Sequence, residues 1–148
     1  MSIPDPLPAG DLPPGIHVAT VDEVVRRFGS SSTRRINLAA RLRRIHRVAS
    51  ETGHLARFVV FGSFVTTKEE PNDIDVFMIM EDGFDTGALV GEAGLLFDHA
   101  AADAFFGASV FWLRRMSALD GEQAAVEYWQ IKRDRGLRGI VEIVEDPK

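Results

Sequence analysis

The stretch FVVFGSFVTTKEEPNDIDVFMIM, residues 58–80, constrains the fold more than any other part of the chain. Two apolar runs are separated by a short polar segment, and each has the length and composition of a strand buried in a sheet. We expect residues 57–61 and 73–80 to be neighbouring strands. Because helical patterns precede and follow these strands, the sequence predicts an α/β or α+β domain, with a mixed β-sheet flanked by helices.

Two helices are predicted before the first of these strands. Thr20 is suited to cap a short helix, with Glu23 three residues later as in a capping box and Gly29 as its end. A longer helix is predicted over residues 34–50. Its apolar positions recur with helical spacing and form a stripe that we expect to pack on the sheet: Leu38, Leu42, Ile45 and Ala49.

The C-terminal half continues the alternation of helix and strand. Residues 86–106 are predicted to be helical, although three glycines weaken the first half of that segment. The run ASVFWL, 108–113, is predicted to be a third strand. The segments VEYWQIKR and LRGIVEIV are separated by Asp-Arg-Gly, a pattern typical of a β-hairpin, so the fold is expected to end in one.

The first 15 residues differ from the rest of the chain. Five of the seven prolines lie there, and proline fixes φ and removes a backbone donor, so residues 1–15 are predicted to be an extended arm, either mobile or laid across the surface. Residues 16–148 are expected to form one domain, which a chain of 148 residues accommodates.

Composition excludes several classes of function. The chain has no cysteine, so disulfides, thiolate-zinc sites and cysteine nucleophiles are excluded. Its net charge of −5 does not favour attraction of the whole molecule to nucleic acid. The apolar runs are too short to span a membrane and the N-terminus does not have the pattern of a signal peptide, so we expect a soluble, cytoplasmic protein without a membrane partner.

Asp73 and Asp75 are the residues most indicative of chemistry. Side chains alternate along a strand, so both carboxylates are expected on one face, about 7 Å apart, where they can share a cation such as Mg²⁺. Gly62 and Ser63 end the preceding strand. Glycine permits a sharp turn and a close approach, and the serine hydroxyl and nearby N–H groups can bind phosphate oxygens.

This arrangement resembles the nucleotidyltransferase superfamily, with its polymerase-beta-like minimal fold. There, an apolar strand ends in Gly-Gly or Gly-Ser, and an acid-hydrophobic-acid motif follows after roughly ten residues. Within this superfamily, three stretches of the chain are similar to a group of small bacterial proteins: PPGIHVATVDEVVRRF, FGSFVTTKEEPNDIDV and RGIVEI. The resemblance implies that Asp73 and Asp75 ligate Mg²⁺ or Mn²⁺ and that a nucleoside triphosphate is the substrate. It also implies a set of phosphate-binding residues: Gly62, Ser63, Thr66, Thr67 and Lys68.

The resemblance also implies a third acid on a later strand, and its natural place here is Ser109, which is not acidic. Glu142 is a candidate substitute as catalytic base, and Glu127 is another. With a third acid, we expect transfer of a nucleoside monophosphate to a hydroxyl of RNA, protein or a small molecule. Without one, the alternative is a catalytically weak or inactive binding or regulatory module, such as one component of a toxin–antitoxin pair.

Two groups of arginines leave alternatives open. Six arginines between Arg34 and Arg47 either meet phosphate groups or form a solvated face of the long helix. Three more cluster in the predicted hairpin turn, where they either contact an anionic partner or serve solubility: Arg133, Arg135 and Arg138.

Overall fold

A computed structural model describes residues 3–145 and shows the predicted α+β fold. Five strands form one mixed sheet in the order β1-β5-β2-β3-β4. The strands are β1 (Gly15–Ala19), β2 (Leu55–Phe61), β3 (Ile74–Met80), β4 (Ala108–Arg114) and β5 (Gly139–Ile143). The α-helices of the described residues are α1 (Val21–Phe28), α2 (Thr33–Glu51), α3 (Glu92–Leu96), α4 (His99–Phe106) and α5 (Glu122–Glu127).

The central strands are the pair predicted from the sequence. Strand β2 runs antiparallel to β3, and Phe61 lies opposite Asp75. Strand β4 is parallel to β3, with Ser109 opposite Asp75. On the other side, β5 is antiparallel to β2 and parallel to β1. The ends of β2 and β4 that carry Phe61 and Ser109 therefore flank the start of β3.

The first two helices begin and end as their residues predict. In α1, Thr20 Oγ1 accepts a hydrogen bond from Glu23 N at 3.2 Å, and Glu23 Oε1 accepts one from Thr20 N at 2.9 Å, so the capping box is complete. Gly29 follows the last residue of the helix. In α2, the predicted stripe is fully buried, with each of its four residues at most 2% exposed.

The sheet buries two unequal faces. Helix α2 and its neighbours cover the face formed in β3 by Ile74, Val76, Met78 and Met80. The opposite face packs in a smaller cluster that includes Phe61, Phe77 and Val126 of α5. Alternation places Asp75 on this second face, together with Phe77. Helix α5 and the 3-10 turn after it, Tyr128–Gln130, pack on that side.

The prediction of a C-terminal hairpin is wrong for the first of its two strands. Residues Glu122–Glu127 are helical and Tyr128–Gln130 form a 3-10 turn, so the segment VEYWQ is not a strand. A single antiparallel bridge, between Ile131 and Leu137, is what remains of the hairpin. The second arm forms β5, which pairs with β1 and β2 instead. Residues 86–106 are also less helical than predicted, since they divide into a 3-10 turn and two short helices.

The N-terminal arm lies across the surface. Ile3 and Leu12 are buried in the core. Arg27 donates hydrogen bonds to the carbonyls of Ile3 and Pro4 at 2.8 and 2.7 Å, and Gly139 N donates to Leu12 O at 2.9 Å. Of the two predicted alternatives, the structure shows the second for residues 3–15. The ends of the predicted segments, residues 1–2 and 146–148, lie outside the described residues.

Candidate functional site

Asp73 and Asp75 lie together at the start of β3. Asp73 precedes the strand and Asp75 is its second residue, so both project toward the same face. Their side chains lie within hydrogen-bonding distance of each other, and both are half-buried. The structure therefore brings together the two carboxylates that the sequence pattern singles out.

The electrostatics of this pair are unusual. Burial, the negative charge of Asp73 and a hydrogen bond with Asp73 together raise the pKa of Asp75 to about 7, against the opposing charges of Arg138 and Arg133. A carboxyl group with this pKa is held where its ionised form lacks compensation. A cation placed between the two side chains would supply that compensation.

Gly62 forms the wall behind Asp75. Its φ of 83° and ψ of −163° lie in a region that is essentially restricted to glycine. A Cβ at this position would also overlap the Asp75 carboxylate, at Oδ2. The backbone can therefore pass directly behind the carboxylate only because residue 62 has no side chain, which explains the glycine at the end of β2.

Ser63 begins a single 3-10 turn, Ser63–Val65, that carries the chain away from the sheet. Its carbonyl accepts hydrogen bonds from the backbone N–H of Thr66 at 3.3 Å and from Thr66 Oγ1 at 2.7 Å. Among residues 3–145, no protein hydrogen bond engages the Ser63 hydroxyl. That hydroxyl, half-buried beside Gly62, remains able to bind a ligand.

Thr66 and Lys68 are held through their backbone carbonyls by helix α2. Arg35 of α2 donates hydrogen bonds to the carbonyls of Thr66 and Lys68, at 2.8 and 2.5 Å. The same guanidinium donates to the carbonyls of Phe28 and Phe64, at 3.0 and 2.7 Å. Thr66, Thr67 and Lys68 line a cavity against α1 and α2. The structure thus does not bring these three loop residues to the carboxylate pair.

Arg35 is a residue whose role the sequence pattern did not reveal. It lies on the arginine-rich helix, yet only 4% of it is exposed, and its donors hold the loop that follows Gly62. The remaining arginines of that group have surface partners: four form ion pairs and Arg41 contacts the carbonyl of Gly107. These contacts are those of a solvated face, with Arg35 as a buried exception.

Ser109 occupies the position at which the third acid was expected. It lies opposite Asp75 across the parallel pair of β3 and β4, and its hydroxyl donates a hydrogen bond to Asp73 Oδ2 at 3.1 Å. Ser109 therefore contributes a neutral donor where a carboxylate would add a third negative charge. The residue there is compatible with a site of two carboxylates.

Glu142 is not placed with the aspartates. It lies on the same sheet face, but β5 is two strands from β3 and Glu142 is in register with Phe77 through Val59, so its Cα is about 12 Å from that of Asp75. Both its carboxylate oxygens accept hydrogen bonds from Arg57, at 2.9 and 2.7 Å. Glu127 is exposed on α5. Neither candidate substitutes for the third acid in this arrangement.

Arg138 and Trp129 border the site. Trp129 packs on Phe61, Phe77 and Phe111, with ring centroids 4.6, 5.2 and 5.1 Å apart. Arg138 lies over the Phe61 ring at 5.3 Å and donates from Nε to the carbonyl of Trp129 at 3.3 Å. The sequence signalled the arginine cluster around residue 138, but its proximity to Asp75 follows from the register of β5 and could not be read from spacing.

The donor set fits a hard divalent cation that is completed by a ligand. Two aspartates and the Ser109 hydroxyl are oxygen donors, which Mg²⁺ prefers, and Mg²⁺ is commonly held by one or two carboxylates together with phosphates and waters. Within residues 3–145, no three histidine, aspartate or glutamate side chains form a metal-binding group. The residues present thus suit a metal–phosphate complex better than a metal ion bound by protein alone.

Fold and site together define a small α+β domain with a pair of touching aspartates beside a glycine turn at one end of its sheet. The chain belongs to a family of unknown function, DUF6932, whose sequence profile matches residues 4–144. No curated protein and no solved structure matches the chain. In the part of the chain from Ile3 to Glu145, no helix has the length and apolar character needed to cross a membrane.

Proposed function

We propose that this protein is a nucleotidyltransferase-like module that binds a nucleoside triphosphate together with Mg²⁺ or Mn²⁺. The observation that carries the proposal is the pair Asp73 and Asp75, two carboxylates in contact, of which Asp75 packs against Gly62, where there is no room for a side chain. Such a pair is costly without a cation, because like charges repel and burial disfavours the ionised form.

The residues of the chain divide the work of binding. Asp73 and Asp75 hold the cation, and Ser109 orients the Asp73 carboxylate through its hydrogen bond. Ser63 offers its hydroxyl to a phosphate beside Gly62. The bound cation would neutralise phosphate charge, which is the chemistry that such an ion supplies in phosphoryl transfer.

Nucleotidyl transfer is the second candidate function. The intact carboxylate pair favours it, whereas Ser109 and the ion pair of Glu142 with Arg57 leave no third acid beside the aspartates. No further carboxylate is then available as the general base that removes the proton from an acceptor hydroxyl. We therefore favour binding over turnover; a toxin–antitoxin role and an acceptor protein or RNA stay predictions.

Calorimetric titration with ATP tests the proposal directly. We expect saturable binding of ATP in millimolar Mg²⁺, little binding in EDTA, and loss of most binding in the Asp75→Asn variant. Transfer is assayed in parallel with ATP labelled at the α-phosphate, and we expect no labelled product. Equal ATP binding by the parent chain and by Asp75→Asn would refute the proposed site.

A further inference from the structure

Arg138 is a half-buried cation beside the carboxylate pair. It immediately precedes β5, and its guanidinium lies 5.3 Å from the ring centroid of Phe61, the residue opposite Asp75 in the sheet. Its Nε atom is anchored by the Trp129 carbonyl at 3.3 Å. Stacking and this hydrogen bond fix the plane of the guanidinium, so the remaining nitrogens have a defined direction.

The remaining nitrogens of Arg138 are not engaged by an acid. Among residues 3–145, its side chain makes the single hydrogen bond to Trp129 and no ion pair, although Asp75 lies within electrostatic reach. Other arginines of the chain do pair with carboxylates. Arg57 makes a two-pronged bond with Glu142, and the exposed Arg44 bonds Glu92 at 2.6 Å.

Arg138 and Asp75 are half-buried and act on each other electrostatically, but among residues 3–145 they form neither a hydrogen bond nor an ion pair with each other, so a ligand that contacts both is not displaced by a direct bond between them. Burial lowers the pKa of Arg138, which Asp75 opposes, and the group nonetheless remains a cation because arginine does not lose its proton in proteins. A guanidinium fork matches the oxygens of a phosphate in geometry as well as in charge.

We propose that Arg138, together with Arg133, binds the phosphate groups of a metal-chelated polyphosphate whose cation is held by Asp73 and Asp75. This inference rests on the function proposed above and deepens it. The site then selects the metal–polyphosphate complex over either ion alone. A bare polyphosphate is repelled by the two aspartates, and a bare cation finds too few ligands and is repelled by the arginines.

The loop between residues 131 and 138 offers a matched control. Arg133 is exposed and its charge acts on Asp75. Arg135, two residues further on, is also exposed, and the charges that act most strongly on Asp75 are those of Asp73, Arg138 and Arg133. Replacing Arg135 by glutamine changes the net charge of the loop as much as replacing Arg133 or Arg138 does, and it leaves the groups that face the site intact.

Calorimetry on the full chain tests this inference with four probes: MgCl₂ alone, inorganic triphosphate with EDTA, triphosphate with Mg²⁺, and ATP with Mg²⁺. The variants are Arg138→Gln, Arg138→Lys, Arg133→Gln and Arg135→Gln. For the parent we expect the two Mg²⁺ complexes to bind much more tightly than MgCl₂ or free triphosphate. Arg138→Gln should weaken the Mg²⁺–triphosphate complex about tenfold to a hundredfold, as removal of a charge-assisted hydrogen bond does.

The variants separate a specific contact from bulk charge. Arg138→Lys should recover part of the loss, since it keeps the charge without the fork, and Arg135→Gln should change affinity less than about threefold. If the melting curve shows that Arg138→Gln is unfolded, Arg133→Gln is the variant that tests the inference. We expect it to weaken binding of the Mg²⁺–triphosphate complex about threefold to tenfold. Equal effects of Arg135→Gln and the deciding variant, or no effect of that variant, would overturn the inference.

The probes also distinguish this inference from the proposed function. Binding of Mg²⁺–ATP by the parent without binding of Mg²⁺–triphosphate would overturn phosphate recognition by Arg138 and leave nucleotide binding standing. Absence of Mg²⁺–ATP binding by the parent would overturn both. Binding of both complexes with a selective loss in Arg138→Gln supports both.

Discussion

Ser109 donates a hydrogen bond of 3.1 Å to Asp73 from the strand position directly opposite Asp75. A neutral side chain thus stands where a third carboxylate would meet the other two. The identity of this one residue separates a site of two acids from a site of three.

Replacing Ser109 by aspartate is expected to add a third acid at that position. In EDTA the added charge should lower the free energy of unfolding by about 1–2 kcal/mol, because it lies beside Asp73 and Asp75. In Mg²⁺ with ATP the affinity should rise. Ser109→Asn, of similar size and uncharged, is the control for packing, and urea titrations with calorimetry make the comparison. Identical behaviour of the two variants would contradict the prediction.

Replacing Gly62 by alanine should disrupt the site from the backbone side. The φ of 83° is strained for alanine, and the added Cβ would overlap the Asp75 carboxylate. We expect a loss of at least about 2 kcal/mol of stability and loss of Mg²⁺–ATP binding. Gly53→Ala is a matched control, since Gly53 has a φ of 77° and nothing lies within 4 Å of its added Cβ.

The cost of Gly62→Ala can be divided by a double-mutant cycle. The control at Gly53 measures backbone strain alone, which should be about 1 kcal/mol. In an Asp75→Ala background the overlap with the carboxylate is removed and only the Cβ of residue 75, at 3.3 Å, remains close, so Gly62→Ala should cost less than it does in the parent. If Gly62→Ala lowers stability equally in the parent and in Asp75→Ala, the Asp75 carboxylate is not what excludes a side chain at residue 62.

Stability without metal should depend on pH through Asp75. Its pKa is near 7 in the folded chain and 3.8 in the unfolded reference, so between these values the folded state binds the extra proton. The stabilisation is complete below pH 3.8 and is lost as pH rises through about 7. Asp73 strengthens the effect, and Arg138 and Arg133 oppose it.

The measurement compares the parent chain with Asp75→Asn in EDTA from pH 5 to pH 8. The stability of the parent relative to the variant should fall with a slope that approaches about 1 kcal/mol per pH unit. Asparagine cannot ionise, and titration of other groups, such as the buried His46, is common to both proteins. Parallel curves across this range would show that the pKa of Asp75 is not raised.

Replacing Glu142 by glutamine should affect stability and not ligand binding. The change removes the charge that holds Arg57 through two hydrogen bonds in a half-buried pair, so we expect a loss of about 1–3 kcal/mol. Glu127→Gln, at an exposed position, should cost less than about 0.5 kcal/mol. If Glu142→Gln loses affinity for Mg²⁺–ATP and Glu127→Gln does not, Glu142 is part of the binding site and the prediction is contradicted.

Local sequence signals determined much of the fold. The capping box at Thr20, the apolar stripe of α2 and the strands β2, β3 and β4 follow from short-range pattern, because side-chain periodicity and caps act within a few residues. The same reasoning located the carboxylate pair: Asp73 and Asp75 share a face because side chains alternate along a strand. The strand that carries Ser109 was predicted as well, but its pairing with β3 is seen only in the structure.

Only tertiary structure decided the C-terminal region. The segment VEYWQ suits a strand by composition, but it forms the end of α5 and a 3-10 turn, with Val126 and Trp129 packed on the sheet. Strand β5 then pairs with β1 and β2, whose residues lie more than 70 positions earlier in the chain, and such pairings leave no mark in local pattern.

That long-range pairing sorted the candidate site residues. The register of β5 keeps Glu142 two strands from Asp75 and bonded to Arg57, and it sets Arg138 over Phe61 at the edge of the carboxylate pair. Similarly, the burial of Arg35 turned one of six similar arginines into the anchor of the loop after Gly62. Residue type and spacing alone determined which groups the chain possesses; packing decided which of them meet, because contacts between distant segments depend on the whole core.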